Sequence, residues 1–349
     1  MTQSTECTST EAKEIRTEPH PHCYLCGTAG DPLYQGLHDR LYAAPGEWSL
    51  RRCQNSACGL VWLDPMPLPS EVWKAYTHYY THGGDNGEQR APGMRAHIFA
   101  LLKGTYRVAL YLTPFHSARR RLARMHLDGI KPGRLLEVGC GSGERLALLR
   151  SLGWEVVGQE VDASAAQHAR DHYGVEVRVG SLEAIGLPEA SFDAVVTNHV
   201  IEHVPDPVGL LAACNRFLKD GGLLCVVTPN IESYGRRHFG LSWMALDPPR
   251  HLYLFSPRTL MAVAEKVGIS GGRCRTSAAN AEIVAAGSID IRVGGRHRLG
   301  TTSRFSHRIR AFLFQWRAWF VWLLQPDSGE ECILWAKKQN SEASDTKRR

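Results

Sequence analysis

The sequence predicts an α/β fold built on a mostly parallel sheet. After residue 133, short apolar runs bounded by glycine or proline alternate with helical patterns, which is the order of βαβ units. The first run, "RLLEV", feeds the glycine cluster "GCGSG", which opens a helix. Loops at that junction hold ligands in open sheets of this kind. The 349 residues, 43% of them apolar, suffice for one large domain and a smaller one. A net charge of +6 over this length does not by itself imply nucleic acid. No apolar run is long enough to span a bilayer.

Taken in order, residues 1–20 are polar and lack an apolar signal core. They read as a disordered leader of a cytoplasmic protein, and residues 340–349 as a disordered tail. Without an export signal, the ten cysteines read as thiols or metal ligands rather than disulfides.

Residues 21–84 read as a ribbon and connector. Cys23 and Cys26 in "HCYLCG" and Cys53 and Cys58 in "RRCQNSACG" form two pairs on short loops, each followed by a glycine suited to a tight turn. Four thiolates so arranged suit one tetrahedral, structural Zn²⁺, and buried free thiols are the plain alternative. Further on, Trp73, Tyr76, Tyr79 and Tyr80 share a helical face. That face either packs on the next domain or meets a substrate.

Residues 85–130 form a basic helical segment. Ile98, Leu101, Leu102, Val108, Leu112 and Leu122 recur at helical spacing, with Pro114 as a break. Arg95, Lys103, Arg107, Arg119, Arg120, Arg121 and Arg124 lie on a stretch without acids.

The core spans residues 131–280. "RLLEV", "WEVVG", "VEVRV", "FDAVVTN" and "GGLLCVVT" read as five strands, with a sixth near "GGRCRTSA". Asp162 caps one intervening helix, which Gly174 ends; Ser256 caps another, with Pro257 in its first turn and Gly268 as its stop. Residues 281–326 form a basic, aromatic insertion, and 327–339 hold the last strand, "ECILWAKK".

The glycine spacing is Gly139-x-Gly141-x-Gly143. A dinucleotide fingerprint needs a small residue at 144, where Glu144 stands, and the Walker lysine is missing. With Glu137 before the loop and Glu144 behind it, a pyrophosphate would meet carboxylates where it needs donors. A sulfonium with an ammonium and no phosphate, as in S-adenosylmethionine, suits that field. Glu160 ends the second strand, where a carboxylate accepts ribose hydroxyls. Gly180, Ser181 and Leu182 follow the third strand, near the expected adenine position.

Residues 131–270 resemble a class I S-adenosylmethionine-dependent methyltransferase. The resemblance rests on "LLEVGCGSG", "VVGQEVD", "LPEASFDAVVTNHVIEHVPDP", "LKDGGLLCVVTPN" and "DPPRHLYLFSPRTL". It implies a Rossmann-like, seven-stranded methyltransferase sheet whose seventh strand is antiparallel. It also implies S-adenosylmethionine as cofactor, with Glu137, Gly139, Gly141 and Gly143 on the methionine half and Glu160 on the ribose. Ser181, Leu182 and Asn198 complete the expected cofactor edge. In many relatives an aspartate binds adenine at position 181; here Ser181 stands there, leaving Glu183 or backbone groups to substitute. The cysteine module with "CGLVWLDPMP" resembles a bacterial subgroup carrying an N-terminal zinc ribbon, which implies sugars, glycan precursors or specialised metabolites as acceptors.

Methyl transfer rewards in-line placement of the nucleophile, and an oxygen nucleophile also needs a general base. Histidine suits neutral pH. Four lie after the fourth and fifth strands: His199, His203, His238 and His251. One of them is the expected base.

Seven arginines and no acid lie between Asp290 and Asp327, and "RIRAFLFQWRAWFVWLL" packs three tryptophans with three phenylalanines. This segment reads as a buried or dimer helix, as a membrane-surface helix at the inner face of the membrane, or as a nucleic-acid contact. The chain therefore reads as a methyltransferase of a small molecule, sugar or lipid-linked, amphiphilic glycan precursor. The alternatives are an RNA methyltransferase and a non-catalytic cofactor-binding module.

Overall fold

The computed structural model describes residues 14–76, 113–269, 271–297 and 303–339. Tyr79, Tyr80, Arg298, residues 1–13, the 95–112 part of the basic segment and the tail from 340 lie outside the described residues.

The N-terminal strands are β1 (Thr17–Glu18), β2 (Gly30–Leu37), β3 (Trp48–Cys53), β4 (Val61–Leu63) and β5 (Met66–Pro67). Residues 14–20 correct the expectation of a disordered leader. β1 pairs antiparallel with β5, Ile15 is buried, and the His20 carbonyl accepts from Trp62 Nε1 at 2.7 Å. An apolar side chain and the backbone of this short stretch find partners in the ribbon, which its polar composition conceals.

The expected basic helix begins, among the described residues, at α1 (Pro114–Ala123). Pro114 occupies its first turn, where no amide donor is needed. The alternating core follows: β6 (Arg134–Val138), α2 (Glu144–Ser151), β7 (Glu155–Glu160), α3 (Ala163–Tyr173), β8 (Glu176–Val179), β9 (Phe192–Asn198), α4 (Pro207–Phe217) and β10 (Leu218–Pro229). Then come α5 (Tyr234–Phe239), β11 (Tyr253–Leu254), α6 (Pro257–Lys266) and β12 (Arg273–Ser277). The insertion is α7 (Ala281–Gly294) and α8 (Phe305–Leu324), and β13 (Glu331–Lys337) closes the sheet.

The caps follow the sequence. Asp162 accepts from the amides of Ser164 and Ala165, and Gly174 ends α3 in the left-handed region. Ser256 forms a reciprocal capping box with Thr259.

The seven-stranded sheet runs β12-β13-β10-β9-β6-β7-β8. β8, β7, β6, β9 and β10 pair in parallel, while β13 lies antiparallel to both β10 and β12. β6 and β9 sit in the middle, and their apolar side chains are buried on both faces, as parallel strands require. The order reverses between β6 and β9, so the loops after β6 and β9 open a crevice at the carboxyl ends of the strands.

A second sheet runs β11-β4-β3-β2. β11 arises within the large domain but pairs with β4 of the ribbon. Trp48 and Trp62 accordingly share one buried cluster with Phe192, Leu252 and Phe255. No helix among the described residues is long and apolar enough to cross a membrane.

Candidate active site and cysteine cluster

The glycine loop follows β6. Its three glycines have φ of 67°, 53° and 81° at positions 139, 141 and 143. A side chain at 139 would fall inside the shell of Val200 Cγ2, so the loop packs directly on the turn after β9. A side chain at 141 would meet nothing within 4 Å, so the loop is open on that side.

Three acids and an amide frame the loop. Glu137 is buried, and its Oε1 accepts from Arg145 Nη1 at 2.8 Å. Its Oε2 is buried without a hydrogen-bond partner among the described residues. Burial lifts this carboxyl above its ordinary pKa against the pull of Arg145. Gln159 spans two loops, accepting from the Gly139 amide at 3.2 Å and donating to the Gly180 carbonyl at 2.6 Å.

Glu160 is anchored by backbone. Oε2 accepts from Gly141 at 2.8 Å, and Oε1 from Val161 and Asp162 at 2.8 and 3.0 Å. A carboxylate has about four lone-pair sites, so one stays open. Ser181 is exposed, Leu182 buried and Asn198 half-buried, following β8 and ending β9. Glu144, the acid expected behind the loop, begins α2 and lies exposed.

The histidines divide. His199, at φ 55°, faces two carboxylates: Nδ1 lies 3.2 Å from Glu202 Oε1 and Nε2 3.3 Å from Glu331 Oε1. Burial opposes its charge, but these two acids outweigh burial and push its pKa up to about 10. Glu202 is fully buried and also accepts from Thr228 Oγ1 at 2.9 Å. Burial raises its pKa, yet the surrounding histidines hold it down at about 2.

His203 and His251 stack edge-on, with ring centroids 4.7 Å apart. Burial lowers both to about 4, so both are neutral near pH 7. Nδ1 of His203 lies 3.0 Å from the Arg250 carbonyl and 3.0 Å from the Tyr76 hydroxyl. Nδ1 of His251 lies 2.8 Å from the Ala245 carbonyl. A carbonyl only accepts, so each Nδ1 carries the proton and each Nε2 keeps its lone pair. One carboxylate oxygen of Glu202 and one ring nitrogen each of His203 and His251 lie within 4.8 Å of one another. His238 is not brought to this group: it sits on α5 among Tyr234, Phe239 and Phe314.

Several residues of this region escaped the sequence reading. Arg250 is fully buried between Asp39, at 2.7 and 2.8 Å, and Asp247. It thereby ties the segment after β2 to the loop that carries His251. Asn280 donates to Glu331 at 3.2 Å. Glu202, in "IEH", carried a signal in its place between two candidate histidines. Asp39 and Glu331 carried none, because their partners are far away in the chain.

The cysteines converge. Cys23 Sγ lies 3.7 Å from Cys58 Sγ, and Cys26 Sγ 3.4 Å from Cys53 Sγ, with all four within 4.8 Å. Gly27 and Gly59, each just after a pair, both have φ of 73°. Each glycine amide donates back, Gly27 to the Cys23 carbonyl and Gly59 to that of Asn55.

The sheet with its one reversed strand, its glycine loop and the acid ending β7 are the elements that the resemblance to class I methyltransferases leads one to expect. Residues 112–270 match the family described as a methyltransferase domain. A probable S-adenosylmethionine-dependent methyltransferase of Mycolicibacterium smegmatis is 39% identical over 97 residues, 28% of this chain and 38% of that protein. A ubiquinone biosynthesis O-methyltransferase of a Ruegeria species is 32% identical over 148 residues, 39% of this chain and 60% of that protein. The crystal structure of a SAM-dependent methyltransferase from Archaeoglobus fulgidus is 20% identical, with a TM-score of 0.42 over 69% of this chain and 99% of that one. The chain thus spans less than two thirds of the length of these curated relatives.

Proposed function

We propose that the protein transfers a methyl group from S-adenosylmethionine to a hydroxyl of a small-molecule, sugar or amphiphilic, lipid-linked acceptor. One observation carries this reading: the glycine loop packs on Val200, between His199 and Glu202, so the cofactor loop and the histidine cluster are neighbours. An oxygen acceptor also accords with the name of the Ruegeria relative, a ubiquinone biosynthesis O-methyltransferase.

When bound, S-adenosylmethionine supplies a methyl group on a positively charged sulfur. Glu137 fits the ammonium of the methionine half, because its Oε2 is buried and lacks a partner among the described residues. Gly139, Gly141 and Gly143 form the backbone cradle, and the open side at Gly141 leaves room for a ligand. Glu160 takes a ribose hydroxyl on its remaining lone pair. Ser181, Leu182 and Asn198 border the adenine.

His203 is the base in this reading. Its Nδ1–H is held by the Arg250 carbonyl, its ring is neutral, and it is less buried than His251. Its Nε2, with a free lone pair, would accept the proton of the acceptor's hydroxyl. His199 is cationic and donates through both ring nitrogens, so it positions neighbouring groups rather than accepting a proton.

Cys23, Cys26, Cys53 and Cys58 hold a structural Zn²⁺ in this reading. Their 3.4 and 3.7 Å sulfur separations approach the roughly 3.8 Å edge of a tetrahedron with about 2.3 Å zinc–sulfur bonds. Four protein ligands leave no open position, so the metal supports the fold and the chemistry stays with the histidine cluster.

The reading is tested by incubating the protein with methyl-labelled cofactor and fractionated cell extract. Label is expected in small-molecule or lipid fractions. Label confined to RNA, or none in any fraction, contradicts the proposal.

A further inference from the structure

The insertion helix α8 has two apolar faces. The inner face buries Ala311, Phe314, Gln315, Ala318 and Trp319. At about 100° per residue, Ile309, Leu313, Phe320, Leu323 and Leu324 fall together on the opposite, outer arc. They are 47%, 57%, 58%, 56% and 85% exposed. Phe305, 63% exposed, falls on the same arc. Isolated exposed apolar side chains are ordinary, but six on one continuous stripe call for an apolar neighbour.

The stripe is bordered by charge of one sign. Arg308 lies along one flank, Arg310 and Arg317 lie along the other, and Arg304 stands at the N-cap of the helix; all four are exposed. The helix has no acidic residue, and among the described residues none of the four makes an ion pair within 4.0 Å. An apolar centre with guanidinium groups on both flanks matches a bilayer surface, where acyl chains take the centre and lipid phosphates the rims. A second copy of this face would bring its own four arginines and no carboxylate. Nucleic acid would satisfy the arginines but leave Ile309, Leu313, Leu323 and Leu324 without a fitting contact.

We propose that the outer face of α8 docks the protein on an anionic membrane surface. The helix lies in the plane of the interface, with the apolar stripe in the acyl boundary and the arginines at the phosphates. The surface connects to the candidate site through few residues. Gln315, on the inner face, accepts from the Glu282 amide at 3.0 Å and donates to the Ala278 carbonyl at 2.8 Å. Between them Asn280 donates to Glu331, which faces His199. Docking would therefore bring the acceptor site close to a lipid-borne substrate. This deepens the amphiphilic-acceptor reading, although docking itself does not require methyl transfer.

The test is flotation of the full chain with phosphatidylcholine vesicles, with and without phosphatidylserine, at low and physiological salt. Binding is expected to phosphatidylserine vesicles, weakened by salt and nearly absent on neutral ones. Leu313→Gln with Phe320→Gln should cost about tenfold or more in vesicle binding. Arg308→Gln, Arg310→Gln and Arg317→Gln should each cost about fivefold and flatten the salt dependence. Calorimetry with S-adenosylmethionine on the same variants should show unchanged binding, which separates loss of docking from loss of the fold or the cofactor site. Three results overturn the proposal: no co-flotation with phosphatidylserine vesicles, a dimer that Phe320→Gln dissolves, or salt-sensitive RNA binding that displaces the vesicles.

Discussion

Gly139 packs against Val200 so closely that no side chain fits between them. The contact joins the loop after β6 to the turn after β9, on the two strands where the sheet order reverses. His199, Glu202 and His203 lie within three residues of Val200. One backbone approach thus couples the glycine loop to the histidine cluster.

Arg250 makes the first test of the architecture. Its guanidinium is fully buried between Asp39 and Asp247 and stacks 4.5 Å from the centre of the Tyr42 ring. Arg250→Met leaves two buried carboxylates unpaired, which should cost about 3–5 kcal/mol of stability in denaturant titration. A loss below about 1 kcal/mol would show that the pairing is not what fastens the ribbon to the core.

Stability should depend on pH in two windows. His199 has a folded pKa of about 10, above its unfolded value, so its contribution is full below about 6.5 and fades as pH rises towards 10. His203 and His251 sit at about 4, so between about 6.5 and 4 the unfolded chain binds more protons and stability falls as pH falls. Thermal melts across pH should show the alkaline decline shrinking in His199→Gln. An unchanged alkaline slope in that variant contradicts the assignment of a cationic His199.

His203→Ala should lower turnover by about a hundredfold or more while leaving cofactor affinity unchanged. The acid limb of kcat/KM should lie near pH 4 rather than near 6.5, because burial holds the ring neutral. Retained turnover in His203→Ala with loss in His251→Ala would move the base to His251.

The purified chain should carry one zinc per molecule, measured by elemental analysis. Cys26→Ser should release it and lower the melting temperature by about 5 °C or more. The effect should reach the whole fold, because the ribbon and the large domain share one buried cluster. Equal melting temperatures with and without metal would argue for plain thiols.

The sheet was readable from sequence because its strands are short apolar runs between glycines, and its helix ends carry Asp162, Gly174 and Ser256 as local signals. The glycine loop and Glu137 were legible for the same reason. The ordering of residues 14–20 was not, since it depends on pairing with Met66 and Pro67. The surroundings of His199 were hidden more deeply. Its second carboxylate partner, Glu331, stands 132 positions away at the start of the last strand. Without it the residue faces one carboxylate; with it, two, and their pull raises its pKa. His238 shows the converse, a histidine with the right position in the chain that folds onto an aromatic cluster instead.

Calorimetric titration of the full chain with S-adenosylmethionine tests the central claim most directly. The folded protein should bind one equivalent, and Gly139→Ala should lose about tenfold or more in affinity, since its left-handed φ and the Val200 contact both oppose a side chain. No binding by the folded, wild-type chain would contradict the account.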